Sequence, residues 1–457
     1  MTAAFASPSP CAALGLDFGT TNTVLALSAG AGSDGAGSDG ATSQLVDFAG
    51  PQGASPVFRS ALCFWEEPSV RGGVAHEAGP FAIAEFLDCP DGSRFIQSFK
   101  SAAASASFDT ASIFGKRLKF EELGHAFLSK LRDHAGGALA QVPDRVVVGR
   151  PVRFVGSRPD DALARARYDL MFAPLNASLH YVYEPLGAAF SFAARLTRPA
   201  TLLVADFGGG TSDFSIVHIK APGAAQRCTA LGSAGIGIAG DRFDYRIMDN
   251  LVLPLLGKGG SYRSFDKVLD IPDGHFANFG DWSKLALMRN RRTMDELVRL
   301  QRSALDPAAI GRMIAIVENE QGYPLYDAVG ALKRALSTQD RADFRFDGAG
   351  LSIDVAVERA QFEQWIAPDL DAMEQTVDAA LVAAKLTSDQ IDHVFLTGGT
   401  SLIPAVRAMF DRRFGPGKID SGNELTSIAH GLALIGQEDD IAAWTVAADG
   451  GGGRVRA

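Results

Sequence analysis

Cysteine is scarce in this chain: Cys11, Cys63, Cys89 and Cys228 are the only four in 457 residues, widely scattered and with no C-x-x-C pair. That excludes a disulfide framework of the secreted kind and points to a reducing compartment. The eight histidines show no H-E-x-x-H or comparable ligand spacing, so a zinc site has no support. No stretch approaches the roughly 18 consecutive apolar residues of a membrane span. The N-terminal MTAAFASPSPCAA lacks the basic start and long apolar core of a signal peptide. Positive charge is also short: 43 Lys and Arg against 53 Asp and Glu leave a net charge of −10, and no basic cluster stands out to track a phosphate backbone. These absences predict a cytoplasmic protein whose partners include neither nucleic acid nor membrane.

What is present is an ordinary globular composition, 47% hydrophobic, in a chain long enough for two or three domains. Apolar β-branched runs alternate with amphipathic helical stretches: VVVG at 146–149, TLLVADF at 201–207 and HVFLTGG at 393–399 each precede a candidate helix, which argues α/β. Residues 30–42, GAGSDGAGSDGAT, are a tandem Gly/Ser/Asp segment too polar to offset its ordering entropy, expected as a mobile loop at a hairpin tip. Residues 243–335 carry helical periodicity and read as an inserted helical subdomain. The sharper signal is an internal echo. LGLDFGTTNT at 14–23 and LVADFGGGTS at 203–212 share an apolar strand, Asp-Phe-Gly, then small and hydroxyl residues, the mark of a duplicated domain presenting one loop from each half.

A phosphate tail needs many N–H donors with nothing bulky in the way, and a glycine-rich turn after a strand supplies them. The first loop offers Gly19, Thr20 and Thr21; the second offers Gly208, Gly209, Gly210 and Thr211. The aspartates that open them, Asp17 and Asp206, are expected to face each other across the phosphates. Two carboxylates about 4 Å apart repel by about 4 kcal/mol at an effective dielectric of about 20, so such a site invites a divalent cation, and magnesium suits it because it keeps waters and bridges phosphates. Either loop alone reads equally as a glycine turn closing a hairpin; two copies, each led by Asp, favour the binding reading.

At this point a resemblance becomes specific. LGLDFGTTN and VADFGGGTSDF resemble the two phosphate loops of the DnaK-type heat-shock chaperones, LTGGTSLIP their adenosine loop, and YEPLGAAFSF, GIAGDRFD and LKRALS follow in the same order over residues 14–436. FKSAAAS and VGRPVRF are most similar to the short YegD-like branch. The resemblance implies an actin-like ATPase fold, two duplicated lobes around a nucleotide cleft, with the helical subdomain inserted in the second lobe. The expected divisions are a disordered start at 1–13, lobe I at 14–200 completed by a C-terminal helix at 425–446, lobe II at 201–424 with the subdomain at about 245–335, and a flexible tail at 447–457.

The roles implied by the resemblance are ATP/ADP and Mg2+ as ligands, with Asp206 polarising the attacking water and Asp17 holding hydrated magnesium. Glu184 supports the water network, Lys100 meets the γ-phosphate, and Thr211 serves beside them. Gly398, Gly399 and Ser401 approach the nucleoside, and Lys333, Arg334 and Ser337 touch adenine and ribose; a surface helix with ordinary charges is the competing reading of these last three. Two departures stand out: Leu402 replaces an arginine that packs on adenine, and Gly330 an acidic residue. Gly235, Gly237 and Gly240 spell G-x-G-x-x-G, but no partner acid follows, so these glycines are read as packing positions and not as a dinucleotide site. Pro151 and Arg153 resemble the family's interlobe relay, with Arg150 where a small residue is usual.

The leading expectation is a slow ATPase whose lobe closure regulates a cochaperone or client protein. A small-molecule kinase of the same superfamily, a nucleotide-dependent filament or scaffold, and a sensor with little turnover remain open. About twenty residues follow SIAHGLALIG, so the sequence as given is expected to build no peptide-binding clamp and to leave extended apolar peptides uncaptured.

Overall fold

The computed structural model describes residues 13–28, 43–51, 53–89, 92–154, 158–221, 228–280, 285, 288–421 and 425–445. The Gly/Ser/Asp segment at 30–42, the residues before 13 and the C-terminal tail, all named above, lie outside the described residues; the strands that flank 30–42 pair antiparallel.

The chain opens with β1 (Ala13–Phe18), β2 (Asn22–Ser28), β3 (Ser43–Leu45) and β4 (Val57–Arg59). A three-stranded sheet follows, β5 (Ala61–Glu66), β6 (Val74–Ala78) and β7 (Ser93–Gln97), with α1 (Gly79–Asp88) before its last strand. After the hairpin β8 (Ala111–Ile113) and β9 (Lys116–Leu118) come α2 (Phe120–His134), β10 (Arg145–Arg150), α3 (Asp161–Phe172), β11 (Ser178–Tyr183) and α4 (Glu184–Ala193). Then β12 (Ala200–Phe207), β13 (Ser212–Ile219) and β14 (Cys228–Ile236) repeat the opening meander. Next are α5 (Gly240–Ile247), the hairpin β15 (Ser261–Ser264) and β16 (Lys267–Asp270), α6 (Arg291–Ser303), α7 (Pro307–Glu318), α8 (Gly322–Leu336), and the hairpin β17 (Arg341–Gly348) and β18 (Leu351–Glu358). The chain closes with α9 (Arg359–Ala384), β19 (His393–Thr397), α10 (Pro404–Phe414), β20 (Ile419–Ser421) and α11 (Ser427–Ile435).

Two sheets carry the duplication. The first runs β11-β10-β1-β2-β3, with β4 also on β2; the second runs β14-β13-β12-β19-β20. In both, the opening strand pairs antiparallel with its successor and parallel with a later strand, which pairs parallel with the next. Helix order repeats too: β10-α3-β11-α4 matches β19-α10-β20-α11. Parallel neighbours need crossover connections, and the helices that supply them cover the sheets, which is why β10 and β12 read as nearly continuous apolar runs.

The equivalent helices α4 and α11 pack on each other. Both are rich in Gly and Ala for a physical reason: a Cβ on Gly431 would lie 1.7 Å from the carbonyl oxygen of Gly187, so this crossing admits no side chain there. On the opposite face of the first sheet, Phe18 sits at the centre of an aromatic core, its ring 5.3–6.2 Å from those of Phe99, Phe127, Tyr168 and Phe172. This core presses the turn carrying Lys100 against the end of β1.

Residue contacts divide the chain into a unit of 1–237, 374–401 and 408–457, which holds both sheets, and a unit of 238–373 and 402–407. The second is predominantly helical. The expected helical run FDYRIMDNLVLPLL is α5 continued by a π-helical stretch, Met248–Val252, and a 3-10 turn, Leu253–Leu256. Of the expected run 282–305, the helix described is Arg291–Ser303, started by the Asn290 side chain, which accepts from the amide of Thr293. The outer faces of β17 and β18 carry charges while Phe344, Phe346, Ile353 and Val357 are buried, a period-two strand pattern. No helix among the described residues is long and apolar enough to cross a membrane.

Candidate functional site

The two echoed segments fold into the same hairpin. In the first, Asp17 lies opposite Val24 and Phe18 opposite Thr23, and the Gly19 amide donates to the Asn22 carbonyl at 2.9 Å. In the second, Asp206 lies opposite Asp213 and Phe207 opposite Ser212, and the Gly208 amide donates to the Thr211 carbonyl at 2.8 Å. Each strand thus delivers one aspartate at its end, one buried phenylalanine behind it, and a four-residue loop closed by the same backbone bond. Thr20, Thr21, Gly209 and Gly210 form the half-buried remainder of those loops.

Lys100 enters from the 3-10 turn Phe99–Ala102 and is buried, with its Nζ donating to Glu184 Oε1 at 2.7 Å. A solvated surface lysine is thereby ruled out. Glu184 is the first residue of α4, followed by Pro185, a start suited both to a helix N-terminus and to a negative charge. Burial pulls the Lys100 ammonium down, yet Glu184, Tyr168 and Asp17 overcome it and hold its pKa above the ordinary value. It is a permanent cation.

The carboxylates around it behave oppositely. Asp17 keeps part of its surface open although its carboxyl lies deep among protein atoms; burial, then the fields of Glu184 and Asp206, push its pKa well up against the opposing pull of Lys100. Asp206 is raised by burial, Glu184 and Asp213. Asp213 is buried and pushed up to about 7, first by burial and then by Glu184, while Lys100 and a hydrogen bond from Thr211 work the other way. Four carboxylates therefore share one fixed ammonium. Asp213 is the member that inspection of the sequence passes over, although VADFGGGTSDF contains it; a four-residue hairpin loop sets it directly across from Asp206.

This acidic surplus fits a magnesium ion in charge. Among the described residues no three acidic, histidine or cysteine side chains converge closely enough to cage a metal, so an ion here would take few protein ligands and complete its shell with water and phosphate oxygens.

The residues expected to approach a nucleoside follow β19. Gly398 has φ +85°, and a Cβ on it would lie 1.9 Å from the carbonyl oxygen of Phe207, so this loop abuts the base of the second phosphate loop and requires glycine. Gly399 begins a 3-10 turn, Gly399–Leu402, and Ser401, buried, donates its hydroxyl to the Gly398 carbonyl at 2.6 Å. In the other unit, Lys333 near the end of α8 bonds Asp244 Oδ2 at 2.7 Å and the Gly240 carbonyl at 3.1 Å. Ser337 donates to the Lys333 carbonyl at 3.0 Å, and Arg334 is exposed, 4.0 Å from Asp327. Leu402 is 58% exposed, an apolar group left at the surface.

Of the remaining motif residues, Gly235 and Arg150 serve packing, while a Cβ on Gly237 would meet open space. A Cβ on Gly235 would lie 2.4 Å from Asp213 Oδ1, so this glycine makes room for the buried carboxylate. Arg150 is buried at the end of β10, bonded to Asp161 Oδ2 at 3.0 Å and lying over the rings of Phe154 and Tyr183, while Arg153 is exposed.

Comparison with known proteins agrees with this architecture. The sequence model of the Hsp70 protein family matches residues 96–259 and 314–438, a span that includes Lys100, Glu184, the second loop and the adenosine loop. Over 434 residues the chain is 25% identical to the chaperone protein DnaK of Deinococcus radiodurans, covering 92% of this chain and 59% of that protein. It is 24% identical over 331 residues to the chaperone protein DnaK of Mycoplasmopsis synoviae, covering 71% of this chain and 46% of that protein. The chain thus spans about three-fifths or less of the length of these relatives. With more than half of its residues matched to the family and its two sheets built on one repeated pattern, the chain belongs to the Hsp70 family and has the actin-like ATPase fold of that family's nucleotide-binding region.

Proposed function

We propose that the chain binds ATP and slowly hydrolyses it to ADP and phosphate, as an ATPase module that passes its nucleotide state to a partner protein, a cochaperone or client. The observation that carries this reading is the pair of hairpins in identical register, each led by an aspartate and both within the electrostatic reach of the buried Lys100–Glu184 pair.

Backbone N–H groups of Thr20 and Thr21 and of Gly209 to Thr211 cradle the phosphates, while the Gly19 and Gly208 amides close the loops on the Asn22 and Thr211 carbonyls. Asp17 and Asp206 would hold magnesium, which would offset phosphate charge. Asp206 orients and polarises a water whose oxygen attacks the γ-phosphorus as the bond to the β-phosphate oxygen breaks. Glu184 supports that water, and Lys100, kept charged, stabilises negative charge on the γ-phosphoryl oxygens. Gly398, Gly399 and Ser401 are assigned to the nucleoside, as are Lys333, Arg334 and Ser337; the assignment of the last three rests on the resemblance alone. With Leu402 in place of a stacking arginine, adenine selectivity is expected to be modest.

The deciding experiment titrates the full chain with ATP, ADP, GTP and adenosine by calorimetry with magnesium and follows phosphate release. Saturable ATP binding with slow release supports the reading, and no nucleotide binding refutes it.

A further inference from the structure

The Lys100–Glu184 pair is closed in this structure, so an ammonium that turns to a γ-phosphoryl group leaves a buried carboxylate short of one donor. Helix α3 brings another donor to the same turn. The Arg167 guanidinium donates to the carbonyls of Ala102, Ala103 and Ser105 at 2.8–3.0 Å, and the Asp160 amide, at the start of the helix, donates to the Ala104 carbonyl at 3.0 Å. These bonds fasten α3 to the segment that carries Lys100. The next residue, Tyr168, is almost wholly buried. Its ring stacks on Phe120 at 6.2 Å and meets Phe18, Phe154 and Phe172 edge-on at 5.6–6.2 Å. Phe99, the neighbour of Lys100, borders two of the same rings, Phe18 at 5.3 Å and Phe120 at 6.0 Å. The Tyr168 hydroxyl oxygen is buried and has no hydrogen-bond partner among the described residues.

A buried hydroxyl that makes no bond costs stability, and phenylalanine would fill the same space without that cost, as four of the surrounding rings do. The hydroxyl therefore calls for a reason other than packing. Burial holds its pKa above the ordinary phenol value and keeps it protonated, and the charges that act on it are first Lys100 and Glu184, then Arg150 and Asp17. It is a neutral O–H within electrostatic reach of both members of the ion pair. We propose that Tyr168 is a positioning residue for the hydrolysis: its hydroxyl donates to the Glu184 carboxylate when Lys100 turns to the γ-phosphate, and so keeps Glu184 on the attacking water. No proton changes owner in this exchange; one hydrogen bond to Glu184 replaces another.

This inference rests on the proposed ATP hydrolysis, and its test separates the two. The full chain and its Tyr168→Phe, Glu184→Ala and doubly substituted variants are compared by thermal melting, calorimetric titration with ATP and ADP, and single-turnover phosphate release with magnesium. Tyr168→Phe is expected to melt no lower than wild type, to bind both nucleotides within about threefold of it, and to release phosphate about 10-fold more slowly, the worth of one hydrogen bond to a charged group. In the Glu184→Ala background the same substitution should change the rate by less than about twofold, because its effect passes through the carboxylate. An equal loss in that background overturns the route through Glu184. A melting temperature and nucleotide affinity that fall together with the rate mark the hydroxyl as structural and overturn the inference, as does failure of Tyr168→Phe to fold. Phosphate release that Tyr168→Phe leaves unchanged overturns this inference alone, whereas a wild type that releases no phosphate overturns the proposed ATPase with it.

Discussion

The two echoed hairpins share register, closing bond, leading aspartate and buried phenylalanine, yet their surroundings differ in charge. Opposite Asp17 stands Val24; opposite Asp206 stands Asp213. The first half contributes the buried ammonium of Lys100 and the Glu184 that holds it. The second contributes an extra carboxylate and the close approach of Gly398. The two halves share one backbone pattern but divide the charge, with the fixed cation in one half and the additional aspartate in the other.

The largest test of that division is Lys100→Met. Removing the only cation of a buried pair leaves Glu184 charged and unpaired, a loss of about 3–5 kcal/mol in folding stability by chemical denaturation. The double variant with Glu184→Gln should regain much of it. If the single variant is as stable as wild type, the pair does not anchor the first half.

Asp206→Asn tests whether the leading aspartates have diverged. It should lower phosphate release about 10²-fold or more while ATP still binds, whereas Asp17→Asn should weaken magnesium-dependent ATP binding as well. Matching profiles for the two variants would restore the symmetry in function that the backbone shows.

The loops also differ in tightness. A Cβ on Gly19 would meet the Asn22 carbonyl oxygen at 2.3 Å, against 3.3 Å for Gly208 and the Thr211 carbonyl. Gly19→Ala should therefore cost about 1–3 kcal/mol and Gly208→Ala distinctly less. Paired thermal melts check this; equal shifts would show that the first loop relaxes.

A pH test concerns the residue without a counterpart in the first half. Asp213 is raised from its ordinary 3.8 to about 7, so between those pH values the folded chain holds a proton that the unfolded chain has released. Stability of the ligand-free protein should then fall as pH rises through that window, by up to about 1.4 kcal/mol per unit, and level off above it. Asp213→Asn should flatten the profile. A slope that survives the substitution assigns it to other groups.

Much of this was legible before any coordinates. LGLDFGTTN and VADFGGGTSDF contain their hairpins in full: an apolar strand, a small-residue turn, and hydroxyls after it, so that the positions of Asp17 and Asp206 at the strand ends follow from local pattern. Glu184-Pro185 likewise reads as a helix start. Other features were not legible. FKSAAAS says nothing of whether Lys100 is buried, because its partner lies 84 residues away. Asp213 in sequence is one more polar residue on a strand.

What the sequence determined by itself is therefore the local chemistry: two glycine turns, each with an acid before it and hydroxyls after, and an α/β alternation that calls for crossover helices. Turn and period are short-range properties, set by φ/ψ preference and by which face of a segment is apolar. Only tertiary structure decided which charges meet. Lys100 reaches Glu184 because the aromatic core around Phe18 fixes one turn against the start of α4, and the halves close because Gly187 and Gly431 let α4 and α11 touch backbone to backbone. Such pairings depend on the packing of surfaces far apart in the chain: the neighbours that packing gathers keep Lys100 a cation against the pull of its burial, and burial makes Asp213 an acid of nearly neutral pKa.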